Sequence, residues 1–163
     1  MTGVDNDKQD TVRLAKRFRR VRDLHQKELA EDYVELIAYL IEQRREARLV
    51  DLAGCLGVSR PTVSDAIQRL QRDGLVTNKP YRSIFLTEEG RVLAETSRER
   101  HRVVREFLIA LGVDAETADT DAEGIEHHVS DAALGAFRRH LAKQRRLSRE
   151  AVPRPLKRRA SSG

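Results

Sequence analysis

The sequence predicts a mainly α-helical protein with a winged helix-turn-helix near its N-terminus and a second group of helices after it. Three observations support this fold class. Apolar residues recur at helical spacing through most of the chain. A glycine-containing turn separates two short helical patterns in residues 49–76. The segment that follows, LVTNKPYRSIFL, has the composition of two short strands joined by a turn, which is the pattern of a wing.

The N-terminal part is predicted as a flexible start followed by a basic helix. Residues 1–11 are polar and are expected to be unstructured, whereas residues 14–25 place apolar side chains at helical spacing and arginines on the other faces. Residues 28–45 continue in helical period with apolar side chains typical of a core helix. We therefore assign residues 1–27 to a flexible N-terminus with a basic amphipathic helix, and residues 28–86 to the winged helix-turn-helix domain.

Local signals define the helix-turn-helix. Gly57 stands where a left-handed C-cap residue belongs, and Ser59 can cap the next helix. Pro61 suits the first turn, where its missing N–H is not needed. The apolar side chains Val63, Ile67 and Leu70 recur at i, i+4 and i+7, so the polar side chains of this second helix point outward. The wing is expected as a hairpin around residues 78–82.

Three further helices are predicted after the wing. The first begins after Thr87, ends at Gly112, and is longer than one small winged domain can cover, so its far half is expected to pack against a partner chain. The second covers DAETADTDAEGIEHHV, and the third is capped by Ser130 and extends through Leu141. Residues 87–144 are thus predicted as a helical domain, and residues 145–163 as a basic disordered tail.

Composition narrows the functional classes. The chain has 163 residues, a formal net charge of +5 and 4% aromatic residues, so a polyanion is a plausible partner but aromatic stacking on single-stranded nucleic acid is poorly supplied. The single cysteine, Cys55, cannot form an intramolecular disulfide, and no apolar run reaches membrane-spanning length. The N-terminal residues do not show the charged start and apolar core that are typical of a signal peptide, so no secretion is expected. We expect a cytoplasmic protein with no membrane partner.

The outward side chains of the second helix suit a DNA reader, because such a helix reads base edges in the major groove while nearby cations hold phosphates. Double-stranded DNA is therefore the expected partner, although two small helices of this kind can also simply pack a core. The predicted contacts are base edges for Arg60, Thr62 and Ser64, the periphery for Gln68, and phosphates or the minor groove for Lys79 and Arg82.

Six carboxylates and imidazoles form a candidate metal set. In a helix, Glu123, Glu126 and His127 share one face, and a second acidic pair stands at i, i+3 in AEDYVEL. Oxygen and imidazole donors without sulfur suit manganese or iron better than copper(I) or a structural zinc. Alternatively, these side chains are only solvated helical faces. The full candidate set is Asp32, Glu35, His101, Glu123, Glu126 and His127.

The winged helix-turn-helix, the DYVE helix opening, the RERH segment and the EGIEHH helix together resemble the manganese transport regulators, a branch of the diphtheria-toxin-repressor-like metalloregulators. The resemblance covers residues 31–137. It implies that the six donors bind up to two Mn²⁺ ions per subunit, with Glu35 and Glu126 as bridges and the main-chain carbonyl of Glu123 contributing. Iron-responsive relatives tend to have methionine where this chain has Asp32, so Fe²⁺ is the weaker alternative.

The resemblance implies that Mn²⁺ ties the DNA-reading part to the dimerisation part, so that a homodimer binds operator DNA and represses manganese uptake genes. Two other readings stay open. Carboxylates and histidines on helices also hold catalytic metals, but the chain has no glycine-rich phosphate loop, nucleophile elbow or HExxH motif, so neither an enzyme nor a small organic substrate is expected. A winged-helix regulator that does not respond to metal is the third possibility.

Overall fold

The computed structural model of the protein describes residues 3–78 and 83–150, with side chains described over residues 11–77 and 83–147. The described residues are mainly helical, as predicted, and divide into two compact units between Glu99 and Arg100. In chain order, the elements are α1 (Gly3–Arg44), α2 (Leu49–Leu56), α3 (Arg60–Arg72), β1 (Val76–Asn78), β2 (Ile84–Leu86), α4 (Glu88–Ala110), α5 (Ala115–Ile125) and α6 (Asp131–Glu150).

The first helix is longer than the sequence suggested. α1 is one continuous helix of 42 residues, so the stretch predicted to be unstructured through residue 11 is helical from Gly3 onward. The physical reason is composition, because the residues between Gly3 and Arg44 include no proline or further glycine and are rich in strong helix formers. The helix ends where Arg45 adopts a left-handed conformation, with φ of 67°.

The first unit has the predicted helix-turn-helix. Gly57 ends α2 in the left-handed conformation, with φ of 66°, and donates its N–H to Ala53. Ser59 caps α3, since its Oγ accepts a hydrogen bond from the Thr62 N–H at 3.3 Å. The core of this unit joins α1 to the reading module through fully buried aliphatic side chains, among them Val34, Ile37, Leu40, Leu52, Val63, Ile67 and Ile84.

The wing is confirmed as an antiparallel hairpin in which Val76 pairs with Leu86 and Asn78 with Ile84. The first turn of α4 packs closely against the residues just before β1. Thr87 Oγ1 accepts from the Gly90 N–H at 3.1 Å and donates to a main-chain carbonyl just before β1 at 2.6 Å. A Cβ at Gly90 would lie 2.0 Å from a backbone carbonyl oxygen, so only glycine fits this approach.

The second unit is built from the far half of α4 with α5 and α6. Its core consists of Val103, Val104, Ala122, Leu134 and Leu141, and the rings of Phe107 and Phe137 stack beside it with centroids 4.0 Å apart. The predicted Ser130 cap is confirmed by a hydrogen bond from the Ala133 N–H at 3.2 Å. α6 continues to Glu150, so the tail predicted from residue 145 is helical for its first residues.

The residues after α6 lie outside the described ranges. Among the described residues, no helix is both long enough and apolar enough to cross a membrane.

Candidate metal centre and nucleic-acid interface

His101 is the centre of a polar cluster in the second unit. It lies on α4, and its Nδ1 is 2.7 Å from Glu126 Oε2 and 3.6 Å from Glu123 Oε1. Its other ring nitrogen, Nε2, is 3.4 Å from Asp119 Oδ1. Each side of the imidazole therefore faces carboxylate oxygen, with two candidate ligands on the Nδ1 side.

Glu126 and His127 complete this cluster in a way that differs in detail from the prediction. α5 ends at Ile125, and residues 126–128 form a turn, whereas the argument from a shared helical face assumed that the helix continues. Glu126 keeps a right-handed helical backbone as the C-cap, so its side chain still turns toward α4. The Glu126 and His127 side chains are 3% and 5% exposed, and Glu126 Oε1 is 3.6 Å from His127 Nε2.

The turn that carries these two donors is held by Arg100, a residue that the sequence analysis did not single out. Its Nε and Nη2 donate to the main-chain carbonyl of Glu126 at 3.1 and 2.9 Å, and Nη2 also donates to the carbonyl of Val129. Its Nη1 donates to Asp131 Oδ1 at 3.0 Å. Only 12% of the Arg100 side chain is exposed. This guanidinium thus fixes the backbone on both sides of His127.

Asp119 is the second residue that the sequence analysis missed. Hydrogen bonding to His101 lowers the pKa of the Asp119 carboxyl below its usual value, and Arg105, 2.6 Å away, lowers it further. An ionised Asp119 can accept a hydrogen bond from the His101 Nε2–H, and in that tautomer Nδ1 carries the lone pair that could bind a metal ion. A histidine held in this way by a carboxylate is a frequent arrangement around bound metals.

The other two predicted donors lie in the first unit. Asp32 and Glu35 stand three residues apart on α1, and Asp32 is half-buried. Glu35 Oε1 is buried and accepts no hydrogen bond from any residue that the structure describes. A buried carboxylate oxygen without a hydrogen-bond donor is costly unless a cation compensates it.

The donor chemistry therefore fits a hard divalent ion, although the side chains are not arranged around one. In the part of the chain that the structure describes, no three His, Cys, Asp or Glu side chains form a metal-binding group. The donors of the second unit contact one another instead. In the second unit, His101, Glu123, Glu126 and His127 are the residues that would hold the ion.

The predicted DNA-reading side chains lie on α3. Arg60, Thr62 and Gln68 are exposed and Ser64 is half-buried, while the apolar side chains of the same helix are buried. The Thr62 hydroxyl is 2.8 Å from Ser59 Oγ, so the helix cap also orients this side chain. Lys79 and Arg82 lie outside the described residues.

Two family models match the chain in the order of these units. Residues 25–84 match the N-terminal DNA binding domain of iron dependent repressors, and residues 87–147 match the iron dependent repressor metal binding and dimerisation domain.

Relatives with these domains are named as transcriptional regulators. The transcriptional regulator MntR of Escherichia coli O157:H7 is 55% identical over 121 residues, which are 74% of this chain and 78% of that protein. The HTH-type transcriptional regulator MntR of Bacillus subtilis (strain 168) is 39% identical over 100 residues, covering 61% of this chain and 70% of the relative.

Similar solved structures include a manganese-dependent transcriptional repressor in complex with manganese, with a TM-score of 0.63 and 32% identity over 69% of this chain and 52% of that one. The manganese regulator SloR gives a TM-score of 0.61 and 30% identity over 69% and 53% of the two chains. The chain thus spans about half the length of these two solved proteins.

A winged helix-turn-helix unit that is followed by a helical unit with clustered carboxylates and imidazoles defines the class of metal-dependent, DNA-binding transcriptional regulators. The chain belongs to the iron-dependent repressor family, which confirms the resemblance to diphtheria-toxin-repressor-like metalloregulators. The family models describe DNA binding, metal binding and dimerisation, and the relatives are regulators rather than named enzymes.

Proposed function

We propose that Mn²⁺ activates this regulator by binding between its DNA-reading and dimerisation parts, so that a homodimer is fixed for operator binding in the cytoplasm. The protein is a manganese-responsive DNA-binding transcriptional regulator. The observation that carries the proposal is the gathering of four predicted donors in the second unit, where His101 lies within 3.6 Å of two glutamates. The proposed ligands are Asp32, Glu35, His101, Glu123, Glu126 and His127.

The donor set supports manganese over softer metals. Four carboxylates and two imidazoles supply hard oxygen donors and nitrogen, and no thiolate or thioether is among them. Affinity alone rises along the Irving–Williams series, so a high coordination number and cellular availability have to select Mn²⁺. We propose up to two ions per subunit, with Glu35 and Glu126 as bridges, and Fe²⁺ as a weaker activator.

The chain's own residues explain how a signal at this site reaches DNA. If the proposed site gathers Asp32, Glu35, Glu123 and Glu126, their negative charges repel one another, and a bound divalent ion would supply the positive charge that offsets this repulsion. Arg100 holds the turn that carries Glu126 and His127, so these donors cannot drift apart independently. Asp32 and Glu35 lie on α1, whose next turns pack Ile37 into the core of the reading module. Fixing α1 therefore fixes the position of α3.

The output is operator binding. Arg60, Thr62, Ser64 and Gln68 are the proposed base-reading side chains of α3, and Lys79 and Arg82 of the wing are proposed to contact phosphates or the minor groove. Two recognition helices at a fixed separation match two half-sites of one duplex. Repression of manganese uptake genes is the regulatory outcome that we propose.

A coupled titration tests the proposal. Calorimetry measures binding of Mn²⁺, Fe²⁺ and Zn²⁺ to the full chain, and fluorescence anisotropy measures binding to operator DNA at fixed salt with and without each metal. The expected result is stoichiometric Mn²⁺ binding, no catalytic turnover, and operator affinity that is raised about 5–150-fold by Mn²⁺. Operator binding of equal affinity with and without metal would contradict the proposal and favour a regulator that does not respond to metal.

A further inference from the structure

The N-terminal part of α1 carries an unusual concentration of charge that the proposed metal response does not use. Residues 11–27, here called the basic segment, hold seven cations and a single carboxylate, Asp23, whereas the whole chain has a net charge of only +5. Every side chain of the segment is exposed. The cations are Arg13, Lys16, Arg17, Arg19, Arg20, Arg22 and Lys27.

Most of these cations have no ion-pair partner among the side chains that the structure describes. Lys27 pairs with Glu31 at 3.4 Å, but none of the six cations from Arg13 to Arg22 forms an ion pair with a residue whose side chain the structure describes. Several of them are spaced i, i+3 or i, i+4, where like charges destabilise a helix. The like charges therefore repel one another along the helix, and a polyanion bound along it would reduce this repulsion.

The position of the basic segment points to the polyanion. A groove of about 280 Å³ in the first unit is lined by Gln26 and Leu29 of α1 together with Val58, Thr62 and Arg69 of the helix-turn-helix. The C-terminal end of the segment therefore lies beside the helix that is proposed to read DNA bases. From Gln26 the helix extends about 20 Å further to Arg13, at about 1.5 Å per residue.

We infer that the basic segment binds the sugar–phosphate backbone of duplex DNA next to the half-site that α3 reads. Duplex DNA carries one negative charge for about every 1.7 Å of its axis, so a 20 Å row of cations can engage several phosphates. Such contacts add affinity without reading sequence. The inference rests on the proposed DNA binding, and it assigns the segment to DNA rather than to a membrane or to the partner subunit.

Salt dependence tests the inference directly. Four cations of the segment cover one arc of the helix and are replaced by glutamine, which keeps helix propensity: Arg13→Gln, Lys16→Gln, Arg17→Gln and Arg20→Gln. A control chain loses the same net charge from exposed positions of α6: Arg138→Gln, Arg139→Gln, Lys143→Gln and Arg146→Gln. Anisotropy titrations from about 0.05 to 0.3 M salt give the slope of log affinity against log salt.

Each phosphate contact contributes about 0.9 to this slope, so the basic-segment variant should lower its magnitude by up to about 3.6. Its affinity at physiological salt should fall at least tenfold, by the same factor for operator and for unrelated duplex. The α6 control should keep the wild-type slope. The variant should also keep its response to Mn²⁺, which separates this inference from the proposed function. A wild type that does not respond to Mn²⁺, with a salt slope that the variant still lowers, would count against the proposed metal response alone.

Four results would overturn the inference. One is an unchanged slope in the basic-segment variant, and another is an equal decrease in the α6 control. The third is a weakened dimer in sedimentation experiments that accounts for the whole loss of DNA affinity, because the segment would then contact the partner subunit. Binding of the wild type to phosphatidylserine vesicles, lost in the variant while DNA binding is unchanged, would assign the segment to a membrane surface instead.

Discussion

Replacing Glu126 by glutamine separates the proposed metal response from DNA binding as such. The substitution keeps the volume of a side chain that is 3% exposed and removes one negative charge and one carboxylate oxygen. The glutamine amide can present an N–H to His101 Nδ1, which lies 2.7 Å from Glu126 Oε2 in the wild type. Its main-chain carbonyl can still accept from Arg100. We therefore expect the fold to be retained.

The expected loss of Mn²⁺ affinity follows from the proposed role of the Glu126 side chain as a metal ligand. Removing a residue that only orients a metal ligand typically weakens metal affinity about 10–100-fold, and loss of a bridging carboxylate should cost at least as much. At a Mn²⁺ concentration about ten times the wild-type dissociation constant, the wild type is about 91% loaded, whereas a site that is 100-fold weaker is about 9% loaded. A full stimulation of operator binding of about 5–150-fold should therefore fall to about 1.4–15-fold at this Mn²⁺ concentration.

The assay is anisotropy of labelled operator at several Mn²⁺ concentrations, accompanied by calorimetry of metal binding and a thermal melt. Glu116→Gln is the matched control, since Glu116 is an exposed carboxylate at the start of the same helix, α5, and makes the same change of charge. It should respond to Mn²⁺ like the wild type. If Glu126→Gln kept the wild-type stimulation while remaining folded, Glu126 would not be a ligand and the proposed site would be wrong.

Three further outcomes are expected. Asp119→Asn should weaken Mn²⁺ binding about 10–100-fold in calorimetry, because the His101 imidazole loses the carboxylate that orients it. Metal-free DNA affinity should not change. Unaltered metal affinity would show that Asp119 has no such role. Gly90→Ala should lower the free energy of unfolding by about 1–3 kcal/mol in denaturant titrations, because its Cβ would lie 2.0 Å from a backbone carbonyl oxygen. Gly124→Ala is the control and should not lower it, because a Cβ at Gly124 would meet open space. Asp114 is the N-cap of α5, and the hydrogen bond that its carboxylate accepts from the Thr117 N–H lowers its pKa from the usual 3.8. The ionised cap therefore stabilises the fold above that value, and the contribution is lost as the pH falls through the lowered folded-state pKa. Melting midpoints of Asp114→Ala and the wild type should accordingly differ near neutral pH and converge in acid, and a gap that is the same at every pH would contradict this cause.

Much of the fold could be predicted because its signals are local. Gly57 and Ser59 mark the turn of the helix-turn-helix by their own backbone and side-chain chemistry, and the structure confirms both. The length of α1 and the end of α5 were harder to predict. A polar helix such as the start of α1 has no apolar period that distinguishes it from an unstructured stretch, and the α5 sequence continues in helical composition after the helix has stopped at Ile125.

The candidate metal ligands stand out in the sequence, but the residues that position them, Arg100 and Asp119, do not. Carboxylates and imidazoles are chemically distinctive, so a cluster such as EGIEHH can be recognised from the sequence alone. Arg100 acts on main-chain carbonyls of residues 126 and 129, and every residue has such a carbonyl, so no pattern of side chains indicates the contact in advance. Asp119 could not be predicted either, because acidic residues are common on exposed helices and the sequence does not show that this one lies beside His101. The residues that tune a site of this kind are therefore found by structure, even where sequence predicts its ligands.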